Sequence, residues 1–346
     1  MLDASSTTNE SVATLPASEV SLACVVRFLE PIVLKQICPV VIVSILGAID
    51  LSAQAPVSQA TFKATVEVVP ISVVVRDRHG KFVSNLSPAD FEIFDNGSKR
   101  QIIDFGIDAS GPITLAVMVD VSGSMRIGNR MTLARKVVDD LAAQFVNGRD
   151  EVALYTFDAG LHAERPFATQ ASGFADSLTS LEPFGTTSLY DAIAITAREV
   201  ETRQSRRRAI VVLTDGLDTS SALTPTQVSG LASSIDVPVY VVLTVPPADK
   251  PQDSNRPPAA AAKATADLGD LARWTGGELM WADAKDNPTS TAHRIVSELR
   301  HQYLIAIEAA NEPSWRPLAV RMRPRGLSIR ARTGYFGPQD AVFEDR

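Results

Sequence analysis

Apolar positions between residues 113 and 300 come in two alternating rhythms. Short continuous runs at 113–119, 151–157, 209–213 and 237–243 are too brief for typical helices and carry many valines and isoleucines. They predict strands buried on both faces. Between them the spacing changes to three and four. Leu133, Val137, Leu141 and Phe145 form one stripe of a helix predicted over 130–146. Further helices are predicted over 174–181, 189–201, 225–234 with Thr224 as N-cap, 268–275, and 288–300. Gly276 and Gly277 stop the fourth of these, and 278–281 is a last short strand. Strands alternating with helices predict an α/β fold with a doubly wound, mostly parallel, Rossmann-like sheet.

The rhythm is different at the two ends of this region. Residues 66–75 are rich in β-branched side chains, 77–80 read as a turn, and Ser87-Pro88 predicts a single helical turn. Residues 91–94 alternate, Asn96-Gly97 signals a two-residue hairpin, and 101–105 is expected to be its return strand. Three more short strands are expected at 302–307, 318–322 and 327–331. Neither end is long enough to enclose a core, so the two are expected to form one small β-sandwich flanking the central sheet. The expected division is a lead and export segment over 1–55, a β-rich segment over 56–110, the central domain over 111–302, and a β-rich segment over 303–346 that packs with 56–110.

Candidate chemistry starts where the run 113–119 stops at Asp120. The residues that follow alternate as Asp120-x-Ser122-x-Ser124, which in an extended loop turns three oxygen-bearing side chains the same way. Gly123 lets that loop turn tightly. Thr187 lies in a loop before the helix at 189, and the strand 209–213 runs into Thr214-Asp215-Gly216. Open α/β sheets place ligands at the carboxyl edge of their strands. Carboxylates and hydroxyls there suit Mg²⁺, Mn²⁺ or Ca²⁺ better than zinc. An aspartate at a strand–helix junction also caps helices. Capping would explain Asp120 but not the convergence of Ser122, Ser124, Thr187 and Asp215 on the same edge. Asp191 reads as a first-turn charge, and Asp218 as either a support for the site or a surface residue.

In this order, Asp120, Ser122, Ser124, Thr187 and Asp215 with its glycine resemble the metal-ion-dependent adhesion site (MIDAS) of von Willebrand factor type A domains. The segments 90–94 and 330–335 also resemble a bacterial family of exported proteins related to that domain, over roughly residues 65–337. The resemblance implies a non-enzymatic module. Its five residues would hold a divalent cation, Mg²⁺ first and Mn²⁺ or Ca²⁺ as alternatives. The open position of the cation would engage a Glu or Asp carboxylate of a protein partner. The alternatives are an envelope protein whose metal site is purely structural and a metal-dependent hydrolase. A phosphoaspartyl enzyme would need a second aspartate where Ser122 stands, and neither serine has the Gly-x-Ser-x-Gly context of a serine hydrolase.

Composition narrows the classes. With 45% hydrophobic and 21% charged residues the chain of 346 is of ordinary globular composition. Its formal net charge of −7 offers nucleic acid no general attraction. Cys24 and Cys38 both lie in the lead, so the body holds neither a disulfide framework nor a thiolate metal site. His79, His162, His293 and His301 lack the spacing of a zinc hydrolase. Residues 37–49 have the length and apolarity of a signal-peptide core, and 53–55 offer a small-x-small cleavage site. Export to the periplasm, cell surface or medium is therefore expected, with an uncleaved anchor at 37–49 as the alternative and the one route to a membrane.

Three further stretches carry expectations. Arg206, Arg207 and Arg208 read as charges favoured near a helix C-terminus. Arg321, Arg323, Arg330 and Arg332 alternate as on an exposed sheet face. Residues 246–262 hold five prolines and an alanine run, and read as a long loop on the same edge as Asp120. Extended, it could span roughly 50 Å and bring Asp249 or Asp253 to the site as a gate; the plainer reading is a solvated insert.

Overall fold

The computed structural model describes residues 67–107, 109–245, 259–282, 288–310 and 312–337. The expected export segment at 37–49, both cysteines and the proline-rich stretch 246–258 lie outside the described residues.

The described residues begin with β1 (Val68–Arg76), a one-turn 3-10 helix at Pro88–Asp90, β2 (Phe91–Asp95), β3 (Ser98–Arg100) and β4 (Ile102–Gly106). The central region follows as β5 (Ile113–Asp120), α1 (Arg130–Ala142), β6 (Glu151–Phe157), β7 (Leu161–Ala168), α2 (Phe174–Ser177), α3 (Leu189–Glu201) and β8 (Arg207–Thr214). It continues through α4 (Pro225–Ser234), β9 (Val239–Leu243), α5 (Ala259–Thr275), β10 (Leu279–Trp281) and α6 (Pro288–Arg300). The last strands are β11 (Tyr303–Glu308), β12 (Trp315–Met322), β13 (Ser328–Arg330) and β14 (Gly334–Phe336).

The central sheet has the order β10-β9-β8-β5-β6-β7 and is parallel except for β7, which pairs antiparallel with β6 at the edge. Every residue of β5 is buried. Its two-residue period explains how. Leu115, Val117 and Val119 face Leu133, Val137 and Leu141 of α1 and Ile295 and Leu299 of α6. Ala116 and Met118 face Ile193 and Ala197 of α3, Val228 of α4 and Leu271 of α5. The doubly wound expectation holds, with helices on both faces. β7 was not legible as a strand. Its burial does not alternate cleanly, and it borders the sheet rather than filling it.

The chain ends form two four-stranded antiparallel sheets, β13-β1-β11-β4 and β14-β12-β2-β3. Ile71, Val73, Ile93, Tyr303, Ile305 and Tyr335 share the core between them, as expected for a sandwich. The hairpin turn at Asn96 (φ 47°) and Gly97 (φ 80°) also forms, but its return strand is β3 rather than 101–105. Residues 102–106 cross to the other sheet and pair with β11, so the chain changes sheets at Gln101.

Two other expectations are corrected. The alanine run is helical from Ala259, where α5 begins, so it does not belong to a loop reaching 262. Alanine's helix propensity overrides the proline signal just upstream. The four arginines do not share one exposed face. Arg321 and Arg323 are exposed, but Arg330 is half-buried between Glu278 and Glu298. Arg332 is buried, and its guanidinium donates to the Ser233, Ser234 and Pro70 carbonyls beside Asp236. Alternation alone could not show that helices α4 and α6 of the central domain cover this end of the sandwich. Of the Arg206–Arg208 group, Arg208 donates to the Glu201 carbonyl at the end of α3 (2.7 Å), as a helix C-terminus favours. Arg206 pairs with Asp104, and Arg207 is buried as the first residue of β8.

Candidate metal centre

The parallel sheet brings β5 and β8 side by side, with Val119 opposite Leu213. Asp120 and Asp215 therefore emerge from the same edge. Asp120 is fully buried, and both its carboxylate oxygens accept bonds, from the Ser122 N–H (2.9 Å) and from the Thr214 hydroxyl (2.6 Å). The loop after Asp120 then makes a 3-10 turn over Gly123–Arg126. That turn brings the Ser122 and Ser124 hydroxyls within 3.1 Å of each other.

Thr187 arrives from a third loop whose backbone is laced to the first. The Gly123 N–H donates to Gly185 (3.1 Å) and the Phe184 N–H to Val121 (2.8 Å). Gly185 has φ 86°, a conformation side chains rarely tolerate, and its carbonyl is 3.4 Å from where a Cβ on Gly123 would lie. The positive φ of Gly185 is what calls for glycine here, whereas a Cβ on Gly123 would make an ordinary contact. Thr187 itself is buried, and its backbone bonds to Thr219 and Ser220 in the loop after Asp215. Asp218 accepts from the first N–H of α3, at Leu189 (2.9 Å), and from the Ser221 hydroxyl. It is thus a support for the site and not a surface residue. Asp191 accepts from Ala222 and Leu223, which clamps the same loop to α3.

One participant was missed in the sequence. Arg130, the first residue of α1, donates to the Asp215 carboxylate (2.6 Å) and to the Ser124 carbonyl (3.1 Å). A cation in the first turn of a helix opposes the helix dipole. That mismatch was the available signal that Arg130 has a partner elsewhere.

Electrostatically the centre is underneutralised. Of the two buried carboxylates, Asp215 is paired with the Arg130 guanidinium, whereas Asp120 accepts from Thr214 and Ser122. Burial pushes the Asp120 carboxyl up to about 6; bonds from Thr214 and Ser122 oppose the rise, and the charge of Asp215 adds to it. Excess negative charge, paired hydroxyls and oxygen donors alone fit a hard divalent cation. Among the described residues no group of three or more His, Cys, Asp or Glu side chains is placed to hold a metal ion. With both Asp120 oxygens engaged inside the chain, the hydroxyls of Ser122 and Ser124 are the freer donors.

Residues 115–217 match the von Willebrand factor type A domain family. No curated protein matches the chain. Among solved structures it is similar to an aerotolerance-related membrane protein from Bacteroides fragilis, at 21% identity over 54% of this chain and 98% of that one, with TM-score 0.44. It is similar to a von Willebrand factor type A protein from Catenulispora acidiphila, at 10% identity over 81% and 76%, with TM-score 0.44. A third is proximal thread matrix protein 1 from the mussel byssus with a zinc-occupied MIDAS motif, at 16% identity, TM-score 0.45, 59% of this chain and half of that one.

Proposed function

Because this chain contains a von Willebrand factor type A domain, we propose that it is an exported binding module that engages a protein partner through a divalent cation. Asp120, Ser122, Ser124, Thr187 and Asp215 would hold the ion, with Mg²⁺ the first candidate and Mn²⁺ or Ca²⁺ the alternatives. Bound there, the cation supplies a Lewis-acidic position for a Glu or Asp carboxylate of the partner. The observation that carries this reading is a pair of buried carboxylates, Asp120 and Asp215, with a guanidinium on Asp215 alone, and two hydroxyls 3.1 Å apart in the adjoining loop. The chain's own residues have distinct parts in it. Thr214 and the Ser122 N–H orient Asp120, Arg130 orients Asp215, and the bonds from Gly123 and Phe184 hold the Thr187 loop in place. Export rests on residues 37–49, which lie outside the described residues; among the described residues no helix is long and apolar enough to cross a membrane.

The test is thermodynamic. A cation that binds only the folded chain stabilises it by about 2.7 kcal/mol at 100 times its dissociation constant. Titration with Mg²⁺ and Mn²⁺ should raise the melting temperature of the wild type, and Asp120→Ala and Asp215→Ala should abolish the rise. Flat melting across both titrations, with no metal by elemental analysis, would remove the proposal.

A further inference from the structure

A groove lies between the central domain and the sandwich, where α4 and the end of α5 meet β12 and β14. Thr226, Ser229 and Ser233 of α4 line it together with Trp274, Trp315 and Phe336, around a volume of about 380 Å³. Small-ligand sites span about 300–1,000 Å³ and favour such junctions. Two of the chain's three tryptophans meet here. Trp315 and Phe336 remain 39% and 53% exposed, so ring surface is left over for a ligand.

The aromatic walls are set in place by the fold. Trp315 and Phe336 stand opposite each other on β12 and β14, with their rings edge-to-face at 5.3 Å. A Cβ at Gly334 would collide with the Trp315 indole, so this glycine makes room for the ring. Gly230 keeps α4 low opposite Phe336, whose ring lies 3.8 Å from where a Cβ on Gly230 would stand. The Trp274 carbonyl accepts from the Ser233 hydroxyl (2.9 Å) and the Thr333 N–H (3.0 Å), which fastens the end of α5 to α4 and to the segment before β14.

The rest of the lining is polar but uncharged. Ser229 donates to the Pro225 carbonyl (2.7 Å) and Ser233 to Trp274, so each spends its proton inside the chain and keeps its oxygen as an acceptor. Thr226, exposed near the start of α4, can donate or accept, and the two indoles bring N–H donors. None of the described residues lining the groove is charged. An ionic ligand would have no counter-charge there, and a wholly apolar one would strip water from the hydroxyls without replacing its bonds. The ligand that answers both halves is neutral, with C–H faces to lie against the electron-rich rings and hydroxyls around its edge.

We infer that the groove between α4 and β14 binds a neutral saccharide, one or two rings of a chain whose hydroxyls stand equatorially. Equatorial hydroxyls leave both faces of a sugar ring flat and apolar, which suits Trp315 and Phe336. They also point outward in the ring plane, towards Thr226, Ser229 and Ser233. No residue of the groove belongs to the metal centre, so this site does not rest on the cation reading.

Calorimetric titration of the full chain with cellotetraose and with N-acetylchitotetraose tests this, beside a charged tetragalacturonate and a polyproline peptide. At least one neutral sugar should bind with a dissociation constant below about 1 mM, and the tryptophan emission should shift on binding. Phe336→Ala should weaken that binding by about fivefold or more, and Thr226→Val by about threefold. Both side chains are exposed, and unchanged melting of the variants checks that they fold. Binding should be equal in chelator and in Mg²⁺. Failure of both neutral sugars, equal binding of the charged one, or full binding by both variants would overturn the inference. So would binding of the polyproline peptide alone, which would make the groove a peptide site, or loss of sugar binding in chelator, which would move it to the metal centre.

Discussion

Asp120 and Arg130 have opposite effects on the metal-free protein, and both are measurable. A carboxyl whose folded pKa is raised binds protons more tightly when folded, so it reduces stability as pH rises from its unfolded value near 3.8 to about 6. The penalty is complete above that window and is of the order of 3 kcal/mol. In chelator, the stability of Asp120→Asn relative to wild type should therefore climb between pH 4 and 6 and stay level above, whatever its fixed offset. Urea unfolding at several pH values reads this, and a pH-independent difference would contradict it. Among the described residues Arg130 is the only guanidinium bonded to Asp215, whose side chain is almost wholly buried. Removing one member of a buried pair costs about 3 kcal/mol or more. Arg130→Gln should lose that much in chelator and less in saturating Mn²⁺, because a cation would compensate the stranded carboxylate. Equal losses in both conditions would separate Arg130 from the ion.

Among the elements, the end of α5 shows how close packing constrains a single position. Gly276 (φ 85°) turns the chain, and Gly277 donates to the Ala272 carbonyl (2.8 Å) while lying against β9. A Cβ on Gly277 would stand 2.0 Å from the Val239 carbonyl oxygen, which is backbone and cannot swing aside. Gly277→Ala should cost about 1–3 kcal/mol through forced separation of α5 and β9. Gly80→Ala, with positive φ but open space, should cost about 1–2 kcal/mol, from backbone strain alone. Comparing the two unfolding curves isolates packing from conformation. α4 is capped at Thr224 by reciprocal bonds with Gln227, as its sequence implies.

For the whole molecule, the sandwich and the central sheet are one cooperative structure if their shared charges matter. Arg332 joins β-sandwich residue Pro70 to Ser233 and Ser234 at the end of α4, and Glu298 of α6 receives both Arg76 and Arg330. Arg332→Met would remove the guanidinium from the Ser233, Ser234 and Pro70 carbonyls and from Asp236, which keeps its bonds from Ser72. A loss of about 3 kcal/mol or more is expected. In the wild type, circular dichroism and tryptophan fluorescence should report a single unfolding transition. Two separated transitions would show that the junction carries little coupling.

The period of the apolar positions determined the alternating elements of the central sheet, because a strand buried on both faces and a one-sided helix demand different patterns. The local spacing of Asp120, Ser122 and Ser124, with Thr187 and Asp215 at later strand and helix ends, was enough to place the five at one edge, since the crossover rule of a parallel sheet puts all such ends together. Other features depended on partners distant in the chain. Gln101 separates two strands that lie in different sheets because β11, some two hundred residues later, offers β4 an edge. Arg330 and Arg332 are covered because α4, α6 and their carboxylates and carbonyls arrive there. Arg130 belongs to the centre because β8 delivers Asp215 beside α1. Local pattern records what a segment can become; which charges meet, and which apolar side chains remain outside as Phe184 does, is set by the packing of elements that the segment itself does not encode.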